Sequence, residues 1–190
     1  MKIAAGILAV VVIAAGALTL WFWEPWSDDE DSVDLSELSD EFKGSACRQV
    51  AGVAARIGEQ EPSRLVFLRD LGRQVAGIRP PPRAYGDLAR GGRNRIAGRG
   101  FLQRFDDGTQ GQARHFAGIA VATSFGGGDP TRLISIFLRD DPAESPDGRL
   151  SDEAITFATE VLTGDLELDE TPQWLLDHLC RRRDAAAPRP

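Results

Sequence analysis

Lysine is nearly absent from this chain. Of its 190 residues only Lys2 and Lys43 are lysine, so the remaining 20 of its 22 basic residues are arginine. Neither lysine follows the glycines at 91–92 or at 98–100. A phosphate-binding loop needs a strand before its glycines and a Lys-Ser/Thr pair after them, so these glycines do not form one.

Histidine and cysteine are equally scarce, with two of each. These residues do not have the spacing of metal ligands, and the chain contains neither a C-x-x-C pair nor a G-x-S-x-G motif. We therefore expect no metal site and no cofactor. No small-molecule substrate is indicated either.

An overall excess of positive charge is also missing, since the net charge is −7. The charges are segregated along the chain: nine acids and no base in 24–41, seven arginines and one acid in 79–104, and eleven acids and one base in 140–170. This balance argues against nucleic acid as a partner of the whole protein.

The chain does contain one long hydrophobic run, residues 3–23, which has no charged side chain. As a helix it would be ~31 Å long, which matches the hydrocarbon thickness of a bilayer. Trp21, Trp23 and Trp26 at its end are typical of a membrane interface. We therefore predict a transmembrane anchor over 1–26. The alternative is a cleaved signal peptide with a cleavage site at residues 15–17.

The charges around the run predict its orientation. Lys2 precedes it, and the acidic segment follows it, so the short N-terminus is expected inside the cell and the body outside. This places the chain in the cytoplasmic membrane as a single-pass protein, with its bulk on the periplasmic or extracellular side. Residues 27–34 are predicted to be an acidic tether, and membrane lipid is one expected contact.

The remainder is predicted to be all-α, a compact domain of six to seven short helices over 35–183 with a disordered tail at 184–190. Apolar residues at steps of three and four predict a long first helix from near Asp34 to Gly58. Thr109 is expected to cap the most hydrophobic helix, 110–125, which is apolar nearly all round and should lie at the centre. Ser151 is expected to cap a later helix.

The two cysteines, Cys47 and Cys180, lie at the start and the end of this domain. In a translocated protein an even pair predicts a disulfide, which here would close a very long loop. The alternative is two buried free thiols.

One cluster supports a catalytic hypothesis: Asp106, Asp107, Arg114 and His115. A neutral His115 near a helix N-terminus is a plausible base, which Asp106 or Asp107 would orient, and Arg114 would hold an anion. The favoured alternative is structural: His115 bonds inside the core, and Arg114 pairs with the aspartates.

The arginine-rich stretch supports a binding hypothesis. It predicts a docking face for an acidic partner or for lipid phosphates, formed by Arg79, Arg83, Arg90, Arg93, Arg95 and Arg99. The alternative is that these arginines pair with the acids of 140–170 in the same chain.

Together these features predict a non-enzymatic, membrane-anchored accessory or interaction subunit, with other subunits of a membrane protein complex as its partners. The alternative is an envelope hydrolase that uses His115 with Asp106 and Asp107. A third possibility, a lipid-binding helical domain, requires a cavity that sequence does not show.

Overall fold

The α-helices of the domain are 7 to 18 residues long in the part of the chain that the structure describes. The computed structural model describes residues 34–60, 63–132 and 142–181. Its α-helices are α1 (Ala46–Gln60), α2 (Arg64–Ala76), α3 (Arg83–Ala89), α4 (Gln112–Gly126), α5 (Pro146–Thr163) and α6 (Thr171–His178). Residues 128–132 are also helical, up to the edge of the described range. Leu35–Glu37 and Gln103–Phe105 form 3-10 turns, and no strand occurs among the described residues, so the all-α prediction is confirmed.

Helix α4 lies at the centre, as its composition predicted. It packs on α2 and α5 and also touches α1. A Cβ atom on Gly72 of α2 would lie 2.8 Å from the Val121 Cβ, so α2 approaches α4 closely only because this residue is glycine. On the other side the Phe116 ring of α4 lies 5.4 Å from the Phe157 ring of α5. The central position of α4 therefore follows from its apolar surface.

The predicted start of the first helix is wrong. The Asp34 carboxylate accepts a hydrogen bond from the Ser36 N–H at 2.9 Å, which closes a local 3-10 turn, and Gly44 has a φ of 111° that interrupts any helix. Helix α1 begins only at Ala46. The apolar side chains before it fold back on α1 instead, since a Cβ on Gly52 would meet the Phe42 Cβ at 2.6 Å.

Two other helix starts also differ from the prediction. Helix α5 begins at Pro146, because the Ser145 Oγ accepts the Gly148 N–H at 2.9 Å and caps it. Ser151 therefore lies inside this helix and does not cap it. Helix α4 begins after Thr109, whose hydroxyl accepts the Gly111 N–H at 3.2 Å within the preceding loop.

The predicted disulfide between Cys47 and Cys180 is confirmed, with 5.5 Å between the Cα atoms across a sequence separation of 133 residues. Both side chains are buried. Cys180 also forms the isolated β-bridge with Phe101, and the Leu102 N–H donates to the Leu179 carbonyl at 2.7 Å. The start of α1, residues 99–102 and the last described residues therefore meet at one junction.

The predicted membrane segment lies outside the described residues. Residues 1–33 are not described, so the anchor, the three interface tryptophans and nearly all of the tether stay predictions, as does the tail at 184–190. Within the three described ranges, no helix has the length and apolar character needed to cross a bilayer.

We predict that removing the disulfide strongly destabilises the domain. The Cys47→Ser/Cys180→Ser variant should lose about 2–5 kcal/mol of unfolding free energy, because the unfolded chain regains the freedom of a very long loop. Urea unfolding followed by circular dichroism measures this loss. The wild type unfolded in the presence of a reductant serves as the control and should match the variant. An unchanged midpoint in both samples would contradict the prediction.

Candidate functional site

His115 and Ser151 form a polar contact inside the core between α4 and α5. The His115 Nε2 lies 2.8 Å from the Ser151 Oγ, and the two atoms share a hydrogen bond. His115 is 7% exposed and Ser151 is fully buried. Burying a hydroxyl and an imidazole is costly unless they are hydrogen-bonded, so this bond satisfies two groups that α4 and α5 bring into the interior.

The same pair has the geometry by which histidine activates a serine nucleophile. The surroundings of Ser151 do not support that use. Its position inside α5 places the neighbouring N–H groups in the helical hydrogen bonds, whereas an oxyanion hole needs free N–H donors beside the nucleophile. The arrangement therefore supports a structural bond better than acyl transfer.

The predicted catalytic aspartates lie in the loop before α4 and bond there. The Asp106 carboxylate accepts the Gly108 N–H at 3.0 Å and pairs with Arg181 at 3.0 Å. The Asp107 carboxylate accepts the Thr109 N–H at 2.8 Å and a hydrogen bond from the Gln112 amide. These bonds hold the loop together and tie it to the end of the described chain.

Among the described residues, neither aspartate bonds to His115 or to Arg114. The predicted pairing of Arg114 with the aspartates is therefore not formed, and the buried Arg114 Nε has no hydrogen-bond partner. The predicted catalytic residues are therefore divided between the core and the loop.

Ser151 was missed as a partner of His115 because the sequence suggested a helix cap. The sequence Ser145-Pro146-Asp147 carries the stronger start signal, with a capping hydroxyl, a proline in the first turn and an acid after it. Starting the helix there places Ser151 on the same inner face as Leu150 and Ala154, which are both buried.

Asp152, the next residue of α5, faces outward and pairs with Arg132. Partial burial raises the pKa of its carboxyl above the ordinary value, and the positive charge of Arg132, whose Nε lies 2.8 Å from it, opposes that rise. A raised pKa in the folded state favours folding at acid pH. That contribution is lost as the pH rises through the raised value, and it is small because the carboxyl is half-exposed.

In the arginine-rich stretch, Arg79 is engaged inside the fold. Asp87 is fully buried and accepts the Arg79 Nε at 2.9 Å, its Nη2 at 2.8 Å and its backbone N–H at 3.0 Å. The Arg90 Nη1 lies 3.8 Å from the same carboxylate. This buried carboxylate therefore fixes the turn between α2 and α3 and the end of α3.

The other arginines of the predicted docking face differ in their exposure to solvent. Arg90 and Arg99 are exposed, whereas the other members are half-buried: Arg83, Arg93 and Arg95. The alternative of internal pairing holds at the end of the stretch, where the Arg104 Nη2 lies 3.2 Å from Glu153 of the acidic region. Arg104 thus pairs with the acidic region, and the docking face stays a prediction.

We predict that the buried Asp87 is essential for stability. The Asp87→Ala variant should lose about 3–5 kcal/mol of unfolding free energy, because it leaves a mostly buried Arg79 without its counter-charge. Urea unfolding measures the loss. Asp40→Ala removes a carboxylate that is 96% exposed and pairs with Lys43, so this control should change stability by ~0–1 kcal/mol. Equal effects of the two substitutions would refute the role of Asp87.

We predict that the bond between His115 and Ser151 stabilises the core. Ser151→Ala should cost about 1–3 kcal/mol, because the imidazole loses a buried partner. The double variant Ser151→Ala/His115→Leu should recover part of this cost, since it replaces both polar groups by apolar ones. The urea midpoints of the two variants, compared with that of the wild type, measure these changes in stability. A neutral Ser151→Ala variant would show that this hydrogen bond contributes nothing.

Comparison with known proteins does not assign the chain to a family, because no family model, no curated protein and no solved structure matches it. Its function must therefore be argued from the contacts described above.

Proposed function

We propose that this chain is a non-enzymatic, membrane-anchored accessory or interaction subunit of a larger membrane protein complex, with its helical domain outside the cytoplasm. The proposal rests on one observation: the polar side chains best suited to catalysis form hydrogen bonds within the domain. His115 bonds in the core, and Asp106 and Asp107 bond within their loop. The residues best suited to catalysis are therefore engaged in holding the domain together.

The disulfide supports the proposed compartment. Structural disulfides form and persist in oxidising environments such as the periplasm and the cell exterior. The Cys47–Cys180 bond closes the domain, and the predicted anchor and its charges direct the same domain across the membrane. The disulfide and the predicted anchor thus both favour a location of the domain outside the cytoplasm.

The exposed arginines supply a surface for partners. The side chain of Arg90 is 45% exposed, and Arg99 is also exposed. Guanidinium groups bind carboxylates and phosphates in a forked geometry, so acidic subunits and lipid headgroups are both suitable partners. An anchor keeps such a surface close to other membrane proteins, which raises their effective concentration.

The alternative, an envelope hydrolase, has one observation in its favour, the hydrogen bond between His115 and Ser151. In such an enzyme the carbonyl group of a substrate would have to reach the hydroxyl of Ser151, which is fully buried. The aspartates proposed for this chemistry bond elsewhere, so the alternative explains less of the structure.

The proposal predicts a stable complex in the native membrane. The tagged full chain, extracted in a mild detergent and separated on a native gel, should migrate with other membrane proteins. Added protease should remove the domain from intact spheroplasts, which places it outside the cytoplasm. The domain should also retain its disulfide when free thiols are trapped before extraction.

A charge-reversed variant provides the control for specific assembly. Arg99→Glu changes an exposed side chain and should weaken the complex, whereas Lys43→Glu changes an exposed base outside the arginine-rich stretch and should not. A full-length chain that migrates alone in every mild detergent would refute the accessory-subunit function.

A further inference from the structure

Helix α4 keeps one face partly uncovered. Most of its side chains are buried against α2 and α5, but Arg114, Gly118, Ala122 and Phe125 follow one another at steps of four, four and three and each stays partly exposed. These steps place all four on one side of the helix. With Arg69 and Tyr85, described next, we call them the α4 face.

The Phe125 end of this face carries an exposed aromatic cluster. The Tyr85 ring of α3 lies 5.8 Å from the Phe125 ring, and Tyr85 is 61% exposed. The Arg69 guanidinium of α2 lies over the same Phe125 ring at 5.2 Å. Tyrosine and arginine are enriched among the residues that contribute most of the binding energy at protein interfaces.

An incompletely bonded arginine lies at each end of the face. The Nε atoms of Arg69 and Arg114 are buried and have no hydrogen-bond partner. Within the described part of the chain neither side chain forms an ion pair, in contrast to Arg79 and Arg104. Both side chains are partly exposed, and a guanidinium group that has no acid partner among the described residues can bind a carboxylate brought by another protein.

The length of the face along α4 restricts the partner. Arg114 and Phe125 are eleven residues apart, so the two ends of the face are separated by ~16 Å along α4. Two carboxylates eleven residues apart on another helix have the same separation. Between the ends, Gly118 and Ala122 present little side chain, which lets a second helix approach closely.

We propose that the α4 face docks an acidic helix of a partner protein, whose carboxylates bind Arg69 and Arg114 while an apolar side chain packs on Tyr85 and Phe125. This inference rests on the proposed function, because it names a second surface through which the subunit would bind, apart from the exposed arginines Arg90 and Arg99. It differs from the face predicted by sequence, which lies in the arginine-rich stretch and includes Arg99.

A designed peptide tests the proposal on the full chain in detergent micelles. The probe is a fluorescein-labelled, alanine-based helix with two glutamates eleven residues apart and leucines on the same side, and fluorescence anisotropy measures its binding. We expect Arg69→Gln, Arg114→Gln and Tyr85→Ser each to weaken binding about tenfold. These side chains are partly or largely exposed, so the variants should still fold, which circular dichroism checks.

Matched controls separate this face from general attraction to arginine. Arg48→Gln removes a half-buried arginine that lies outside this face and outside the arginine-rich stretch, and it should leave the affinity unchanged. A peptide with glutamines in place of the glutamates should bind at least tenfold more weakly. No measurable binding of the first peptide, equal binding of both peptides, or an equal effect of Arg48→Gln would overturn the proposal. A concentration-dependent dimer that Tyr85→Ser abolishes would assign the face to a second copy and also overturn it.

The native complex distinguishes this inference from the proposed function. If the complex is present and survives the Arg69→Gln/Arg114→Gln variant unchanged, the docking face is wrong while the accessory-subunit function stands. If the wild type forms no complex, the proposed function fails, and the peptide measurement still decides whether the face binds acidic helices.

Discussion

The bond between Cys47 and Cys180 is the constraint on which the surrounding contacts depend. It joins two residues that are 133 positions apart in the chain and holds the start of α1 against the last described residues. Residues 99–102 are held at the same junction, because the Arg99 carbonyl accepts the Ala46 N–H at 2.9 Å and Phe101 pairs with Cys180. Three segments that are distant in sequence thereby support one another, and the loop that carries Asp106 is positioned by them.

The arginines of the domain divide into two groups with different physical roles. Some neutralise acids within the fold, as Arg79 does for the buried Asp87 and Arg132 does for Asp152. Others, among them Arg69 and Arg114, form no ion pair with an acid among the described residues. The arginine side chains therefore do not form one continuous surface patch. The chemistry available to a partner depends on which guanidinium groups the fold leaves incompletely bonded.

Much of the architecture could be predicted from periodicity, and the errors have identifiable causes. The hydrophobic centre of α4 and the cysteine pairing were both predicted correctly. Leu38 and Phe42 have helical spacing with α1, yet they belong to a segment that folds back over Gly52. Ser151 resembled a cap but lies inside α5. Spacing alone does not distinguish a residue on a helix from one packed against that helix.

The sequence by itself determined the helical character of the domain, the segregation of its charges and the possibility of a single disulfide, because these depend on local pattern and on composition. Only the tertiary structure decided that His115 bonds Ser151 and that Asp87 is buried with Arg79. Only the packing of α2, α3 and α4 brought Arg69, Tyr85 and Phe125 together. The physical reason is that partner choice depends on which surfaces meet, whereas helix formation depends on residues three and four apart.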